Sequence, residues 1–338
     1  MHMAKIHNQR GAISMLTVIF LALLLTIITT SFVRLSITEQ RQAVDDDLTT
    51  RAFYAAESGV EDAKRAISDF QNGTLTQAQL NETECTPAEV VTSGQLSADL
   101  DTEYTCQYID LAPADYQASL DAWQAVTVPL SGASAFSSVR IDWHIHDGGA
   151  YARHTNQDLL TVGAWQGADY PAMLRAAVFS TPSSASFSSS QVSQSTMFIN
   201  PSNGGGSTNI NSSDGQIVNG NCVSSPSQGQ YSCSMTLAGI NSGRTNYLRL
   251  QSLYRQTNIS ITLLDSSNNP VLLDDVQALI DVTGRAGDVF RRVEARVSLL
   301  DQNFPLPDIA LWSNTEICKD FSVTDDVADY SNTCPWAN

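Results

Sequence analysis

From Ala12 to Val33 the chain carries no charged residue, and from Ala12 to Ser58 it carries neither glycine nor proline. As a helix, the charge-free run of 22 residues reaches about 33 Å at 1.5 Å per residue, enough to cross a bilayer. Lys5, His7 and Arg10 stand before it, and a long acidic chain follows, so the bulk of the protein is expected outside the cytoplasm. A cleaved secretory signal matches less well. Its apolar core would run about 7 to 15 residues and end at small residues, whereas this one continues through Thr29, Thr30, Ser31 and Phe32. The segment reads as an anchor.

Nothing punctuates the chain where the apolar run ends. From Phe53 the apolar positions Phe53, Ala56, Val60, Ala63, Ile67 and Phe70 recur in steps of three and four, which places them on one narrow helical face. Asp47 with Arg51, and Glu61 with Arg65, supply i,i+4 pairs for the solvent side, and Asn72-Gly73 supplies a stop. The pattern predicts one helix of nearly 60 residues, about 90 Å long. Residues 12–33 form its membrane half and residues 34–71 its amphipathic half.

Residues 72–338 read as a β-rich extracellular part, in one domain or two lobes. Residues 71–135 are polar and show no clear period. Between Ser137 and His146, Val139, Ile141, Trp143 and Ile145 alternate with Arg140, Asp142, His144 and His146, the pattern of a half-buried strand. Residues 180–230 are dominated by Ser, Asn, Gly and Gln and are expected as long surface loops. Beyond residue 245, three alternating series suggest strands: Leu248, Leu250 and Tyr254; Ile259, Ile261 and Leu263; Ala278, Ile280 and Val282. Gly284–Gly287 then reads as a tight connection before Val289, Val293, Ala295, Val297 and Leu299. These suggest an antiparallel meander with one face covered, and the apolar helix stripe is the natural cover. The fold class is therefore α+β, a long N-terminal helix packed on an antiparallel sheet domain with long loops.

Eighteen basic and 35 acidic residues give a formal net charge of -17, which argues against nucleic acid as a partner, because phosphate binding needs clustered Lys and Arg. Six cysteines fall into the neighbouring pairs Cys85/Cys106, Cys222/Cys233 and Cys318/Cys334, without the close spacing of a zinc or redox motif. Three local disulfides in an oxidising compartment are expected, with buried free thiols as the alternative.

His144 and His146, with His154, Asp142 and Asp147 nearby, are the weak candidates for a metal site. H-x-H on a strand face can chelate zinc or copper, although exposed strand histidines are the commoner reading. Asp265, Asn268, Asn269, Asp274 and Asp275 offer oxygen ligands but lack EF-hand spacing and suit a solvated hairpin loop better. Among the tryptophans, Trp143 lies in the apolar phase of its strand, while Trp165 and Trp336 look loop-borne and are the better candidates for exposure. No nucleophile elbow, Walker motif or dinucleotide fingerprint occurs, so neither catalysis nor a cofactor is expected.

Gln9-Arg10-Gly11 before Ala12-Ile13-Ser14-Met15-Leu16, taken with Arg51-Ala52-Phe53-Tyr54-Ala55-Ala56-Glu57-Ser58-Gly59, resembles type IV pilins, in particular PilX-type minor pilins. The resemblance covers about residues 9 to 70. It implies a leader of residues 1–11, cleaved after Gly11 by a prepilin peptidase, and N-methylation of Ala12. It also implies residence in the cytoplasmic membrane, then assembly with other pilin subunits at a pilus platform. A surface or glycan ligand and a disulfide-bounded C-terminal region are further expectations. Major pilins carry glutamate at the fifth mature position; here that position is Leu16, which favours a minor or tip-proximal subunit over the major one. A signal-anchored adhesin that never polymerises is the rival reading.

Overall fold

The computed structural model describes residues 10–76, 94–97, 101–148, 152–155, 159–183, 189–223 and 225–299. The chain opens on one helix, α1 (Arg10–Gln71), of 62 residues, about 93 Å long. It stops where Asn72-Gly73 was expected to stop it. Gly73 adopts φ 73°, its N–H reaches the Phe70 carbonyl, and the Thr74 N–H reaches Asp69 at 2.9 Å, a left-handed cap that satisfies otherwise orphaned carbonyls.

The strands that follow are β1 (Gly94–Ser97), β2 (Thr102–Asp110), β3 (Tyr116–Leu120), β4 (Ala125–Pro129) and β5 (Ser138–Ile145). A short helix, α2 (Val162–Gly167), precedes β6 (Met173–Thr181), β7 (Ser193–Asn200), β8 (Ser207–Asn209), β9 (Ile217–Asn219) and β10 (Asn221–Cys222). The series closes with β11 (Tyr231–Ala238), β12 (Thr245–Leu253), β13 (Thr257–Leu264), β14 (Pro270–Val271), β15 (Gln277–Ala286) and β16 (Val289–Ser298). An α+β architecture of one long helix and largely antiparallel sheets results.

The chain divides into two compact units. The first holds the described residues up to Tyr108 together with Ile280–Ala295: helix α1 and the four-stranded sheet β1-β2-β15-β16. The second holds Ile109–Leu279 and the described residues from Arg296 onward. It is a two-sheet sandwich. One sheet runs β10-β11-β5-β13-β14, with β3 on β13 and β8 parallel to β11; the other runs β4-β12-β6-β7-β9, with β9 parallel to β7. Val139, Ile141 and Trp143 of β5, Leu174 and Ala176 of β6, Met197 and Ile199 of β7, and Leu248 and Leu250 of β12 fill the core between them.

Three expectations are corrected. The strands after residue 245 do not form one meander: β12 joins the five-stranded sheet, β13 the seven-stranded sheet, and β15 and β16 the sheet under the helix. Period 2 shows that a segment is a strand but not which strand it pairs with. Gly284 is not in a turn, because β15 runs on to Ala286 and the turn begins at Gly287, φ 59°. Two stretches read as loops or as lacking a clear period also carry strands, β1 to β4 within residues 71–135 and β7 to β10 within the serine-rich region. In β7 every second side chain is core, Met197 and Ile199 included, and the intervening serines and threonines hid the alternation.

Candidate functional site

Among the described residues, one helix is long and apolar enough to cross a membrane. Large apolar side chains from Met15 to Val33 are exposed throughout, Leu16 among them at 72%. The hydroxyls inside this run do not break it. Thr29 donates to the Leu25 carbonyl at 2.7 Å, Thr30 to Thr26 at 2.6 Å and Ser31 to Ile27 at 2.8 Å, so each is satisfied by its own helix.

The second half of α1 is seated on the four-stranded sheet by a face of small residues: Ala52, Ala55, Ala56, Gly59, Val60, Ala63, Ala66 and Ile67. Of the six positions expected there, Ala56, Val60, Ala63 and Ile67 are buried and Phe70 is half-buried. Phe53 is not on it. It is 42% exposed and packs edge-on against Tyr54, itself 61% exposed. The buried face begins one residue earlier, on Ala52, because strand and helix backbones meet there: a Cβ on Gly284 would lie 2.0 Å from the Ala52 carbonyl oxygen and 2.4 Å from the Ala56 nitrogen. At that separation a phenyl ring has no room. A Cβ on Gly59 would in turn lie 2.6 Å from Val282 Cγ1. The spacing of Ala52, Ala56, Gly59 and Ala63 was the available signal, and large apolar residues drew attention away from it.

Polar contacts finish the seat. Gln107 donates to the buried Gly59 carbonyl at 2.7 Å, and the Tyr104 hydroxyl donates to Asp62 at 2.9 Å. Burial first, and then the Asp62 carboxylate, push the Tyr104 phenol far above its ordinary value. Arg285 bridges Asp101 and Glu103, and Arg291 donates to Thr49 of the helix at 3.1 Å. The helix surface pairs are partly as expected. Arg51 meets Asp47 at 2.6 Å, but Arg65 meets Asp62 and Lys64 meets Glu61, both one residue closer in sequence than the expected Glu61/Arg65 pair.

Gly11 and Ala12 lie within the backbone span of α1. Cys222 and Cys233 form a disulfide across the β10–β11 pair. Cys85, Cys318 and Cys334 lie outside the described residues, as does the Cys106 side chain.

The histidines do not converge. His144 adopts φ 63°, so the alternation of β5 breaks there, and its Nδ1 lies 2.8 Å from the Ser232 hydroxyl. Burial lowers its pKa from the ordinary value. The buried His154 hydrogen-bonds Asn200 at 2.8 Å and lies against Trp165 and Tyr170. Among the described residues no group of three or more His, Cys, Asp or Glu side chains is arranged to hold a metal ion. Asp265 turns its oxygens inward on its own hairpin, accepting from Ser267 N and from both nitrogens of Asn269; these bonds, the Asn269 amide first, hold its carboxyl below the usual range.

Trp143 is fully buried, as its strand phase implied. Trp165, a candidate for exposure, is also fully buried: α2 lays it on Tyr254, stacked at 4.6 Å, and its indole nitrogen donates to the Pro171 carbonyl. The glycines at 163 and 167 belong to that helix rather than to a loop. Trp123 is half-exposed and rests against Tyr254, while Trp336 lies outside the described residues.

No protein-family model matches the chain, and no curated protein and no solved structure matches it.

Proposed function

We propose that the chain is a minor, pilin-like subunit of the PilX type. In this reading it is anchored in the cytoplasmic membrane by residues 12–33, cleaved after Gly11, methylated at Ala12 and assembled into a surface pilus through α1. One observation carries the reading: α1 runs unbroken from an exposed apolar half into a half seated on its own sheet. Side chains such as Phe20, Ile27 and Phe32 need non-aqueous surroundings. The bilayer supplies them before assembly, and the helices of neighbouring subunits supply them after extraction. The globular part stays outside, presented to surfaces or to other subunits.

Leu16 fits a minor or tip-proximal place. A carboxylate there would need a cationic partner in the apolar bundle, whereas leucine is held by packing alone. The partners are then other pilin subunits, the prepilin peptidase and the assembly platform, and the role is structural rather than catalytic.

Mass spectrometry of the mature protein tests this directly. The expected N-terminus is N-methylated Ala12, with the chain enriched in sheared filaments. A chain that retains its leader and stays with the membrane after shearing would instead be an anchored surface protein.

A further inference from the structure

The two faces of the five-stranded sheet carry different residues. Leu174, Ala176 and Val178 of β6, with Leu248 and Leu250 of β12, belong to the sandwich core. Alternation sends their neighbours outward: Arg175, Ala177 and Phe179 on β6, Tyr247 and Arg249 on β12, and Phe198 on β7. Phe179 stands opposite Tyr247, and Arg175 opposite Phe198. Arg249 opposes Ala177 and Arg175 opposes Gln251, so the two arginines lie on a diagonal of adjacent strands. Long side chains on such a diagonal are within reach of each other, and like charges there repel. No carboxylate occupies a paired position on this face, in a chain with 35 acidic residues against 18 basic ones.

Arg175 sits at the centre of this face, on the middle strand of the five. It is half-buried, its Nε is buried without a hydrogen-bond partner, and among the described residues it makes no ion pair. Nothing in the fold compensates an unmet cationic donor there. Arginine and aromatic residues with carboxylates left out are the composition of a protein-binding patch rather than of a wetted sheet face.

The chain itself carries a complementary surface. Phe53, 42% exposed, stands on α1 seven residues after Asp46 and four before Glu57, which places all three on one helix face about 16 Å long. Asp46 and Glu57 are exposed, and among the described residues neither is in an ion pair; Arg291 reaches this stretch of helix but bonds Thr49. On β6, Arg175 to Phe179 covers a similar length, about 14 Å. We infer that the outer face of the five-stranded sheet docks the Asp46–Phe53–Glu57 face of a second copy of this chain. The arginines meet the two carboxylates, and Phe53 packs among Phe179, Phe198 and Tyr247. Two copies at net charge -17 repel at long range, so they associate only where opposite charge is gathered locally, as on this face. Two different surfaces meet, so the contact is heterologous and runs on from copy to copy. It adds a contact to the assembly proposed above yet needs neither leader cleavage nor a membrane, so mass spectrometry of the N-terminus and the test below fail separately.

Sedimentation of the full chain in detergent micelles reads the contact. The native chain should form oligomers that grow with concentration and dissociate as salt is raised. Arg175→Glu spoils the sheet face, and Phe53→Ser with Glu57→Gln spoils the helix face; each variant alone should self-associate at least about tenfold more weakly. Hydrogen exchange over β6 and over residues 52–67 should match the native chain and show both variants folded. The helix-face variant alters only exposed side chains and is decisive by itself. Mixed in equal amounts, the two variants should associate again, because each keeps the surface the other lacks, and should stop at pairs. The inference is overturned if the native chain stays monomeric, if either folded variant associates within twofold of it, or if the mixture fails to pair while the native chain associates.

Discussion

Replacing Gly284 with alanine adds one methyl group where the β15 backbone meets the α1 backbone. That Cβ would stand 2.0 Å from the Ala52 carbonyl oxygen, whereas ordinary contact begins at 3.4 Å, so the helix must retreat by about 1.4 Å (3.4 − 2.0). Neither neighbour is a flexible side-chain tip that can swing aside; both are helix backbone. A gap of roughly 0.5–1 Å already forfeits a quarter to a half of the dispersion well. Ala52, Ala55, Ala56, Val60 and Ala63 would lose contact together, which places the cost at about 3 kcal/mol, the upper end of the usual overpacking range. In hydrogen exchange this is roughly a hundredfold loss of protection. Peptides covering residues 52–67 and 280–286 of the full chain in detergent are the right readout, because Trp123, Trp143 and Trp165 all belong to the other unit and fluorescence would report there. Gly163→Ala is the control. Nothing lies within 4 Å of its added Cβ, and in a helix the change should be neutral or stabilising by up to about 1 kcal/mol. If protection at residues 52–67 changes by less than threefold in Gly284→Ala, the close approach of helix and strand is refuted.

Phe53→Ser, on the exposed side of α1, should change stability by less than about 0.5 kcal/mol, and a loss above 2 kcal/mol would return Phe53 to the packing face. Tyr104→Phe deletes the bond to Asp62 and should cost about 1.5 kcal/mol in exchange protection over residues 52–67; equal protection would show that the hydroxyl contributes nothing. Removing the Cys222–Cys233 bridge by double serine substitution, across a sequence separation of 11, should cost about 3 kcal/mol by the chain-entropy estimate, read as a lower urea midpoint of tryptophan fluorescence. His144 has a folded pKa below the ordinary 6.5, so the unfolded chain takes up the proton first as pH falls. Its contribution is therefore intact above pH 6.5 and is lost on descending from 6.5 to the folded value. His144→Asn should flatten the stability profile in that window, and an unchanged slope would assign the pH dependence to another group.

The helix was legible because its signals are local. A charge-free run, an absence of Gly and Pro and an Asn-Gly stop each act within one or two turns of the chain. Its seat was half legible. The three-and-four spacing locates the correct side of the helix but begins on Phe53 rather than Ala52, because a large apolar side chain marks burial only where side chains, not backbones, meet. Where two backbones touch, smallness is the mark, and only the partner strand with its Gly284 makes that visible. The sandwich was less legible still. Val139, Ile141, Trp143, Leu248 and Leu250 announce strands, yet the assignment of β12 and β13 to different sheets depends on pairings far apart in sequence. Trp165 misled for a related reason: two flanking glycines look like a loop, and the ring's burial comes from Met173, Leu253 and Tyr254, elements that its own segment does not contain.

The small-residue seat also fixes the register of helix on sheet. Gly284 sits over Ala52 and Ala56, and Gly59 faces Val282 and Tyr104. A slide of one turn, about 5.4 Å, would bring Leu48 or Val60 beneath Gly284 and Ala55 or Ala63 beneath Val282. Each replaces a smaller residue with a larger one at a point where even a single methyl group is already too close. The bonds from Gln107 to Gly59 and from Tyr104 to Asp62 would break in the same movement. Only one register satisfies all four constraints. A pull along α1, such as extraction of residues 12–33 from a bilayer would exert, therefore cannot be absorbed by ratcheting the helix over its sheet. With no Gly or Pro between Ala12 and Ser58 to yield first, the load passes to the strands β2 and β15, and the helix and its sheet must move as one piece.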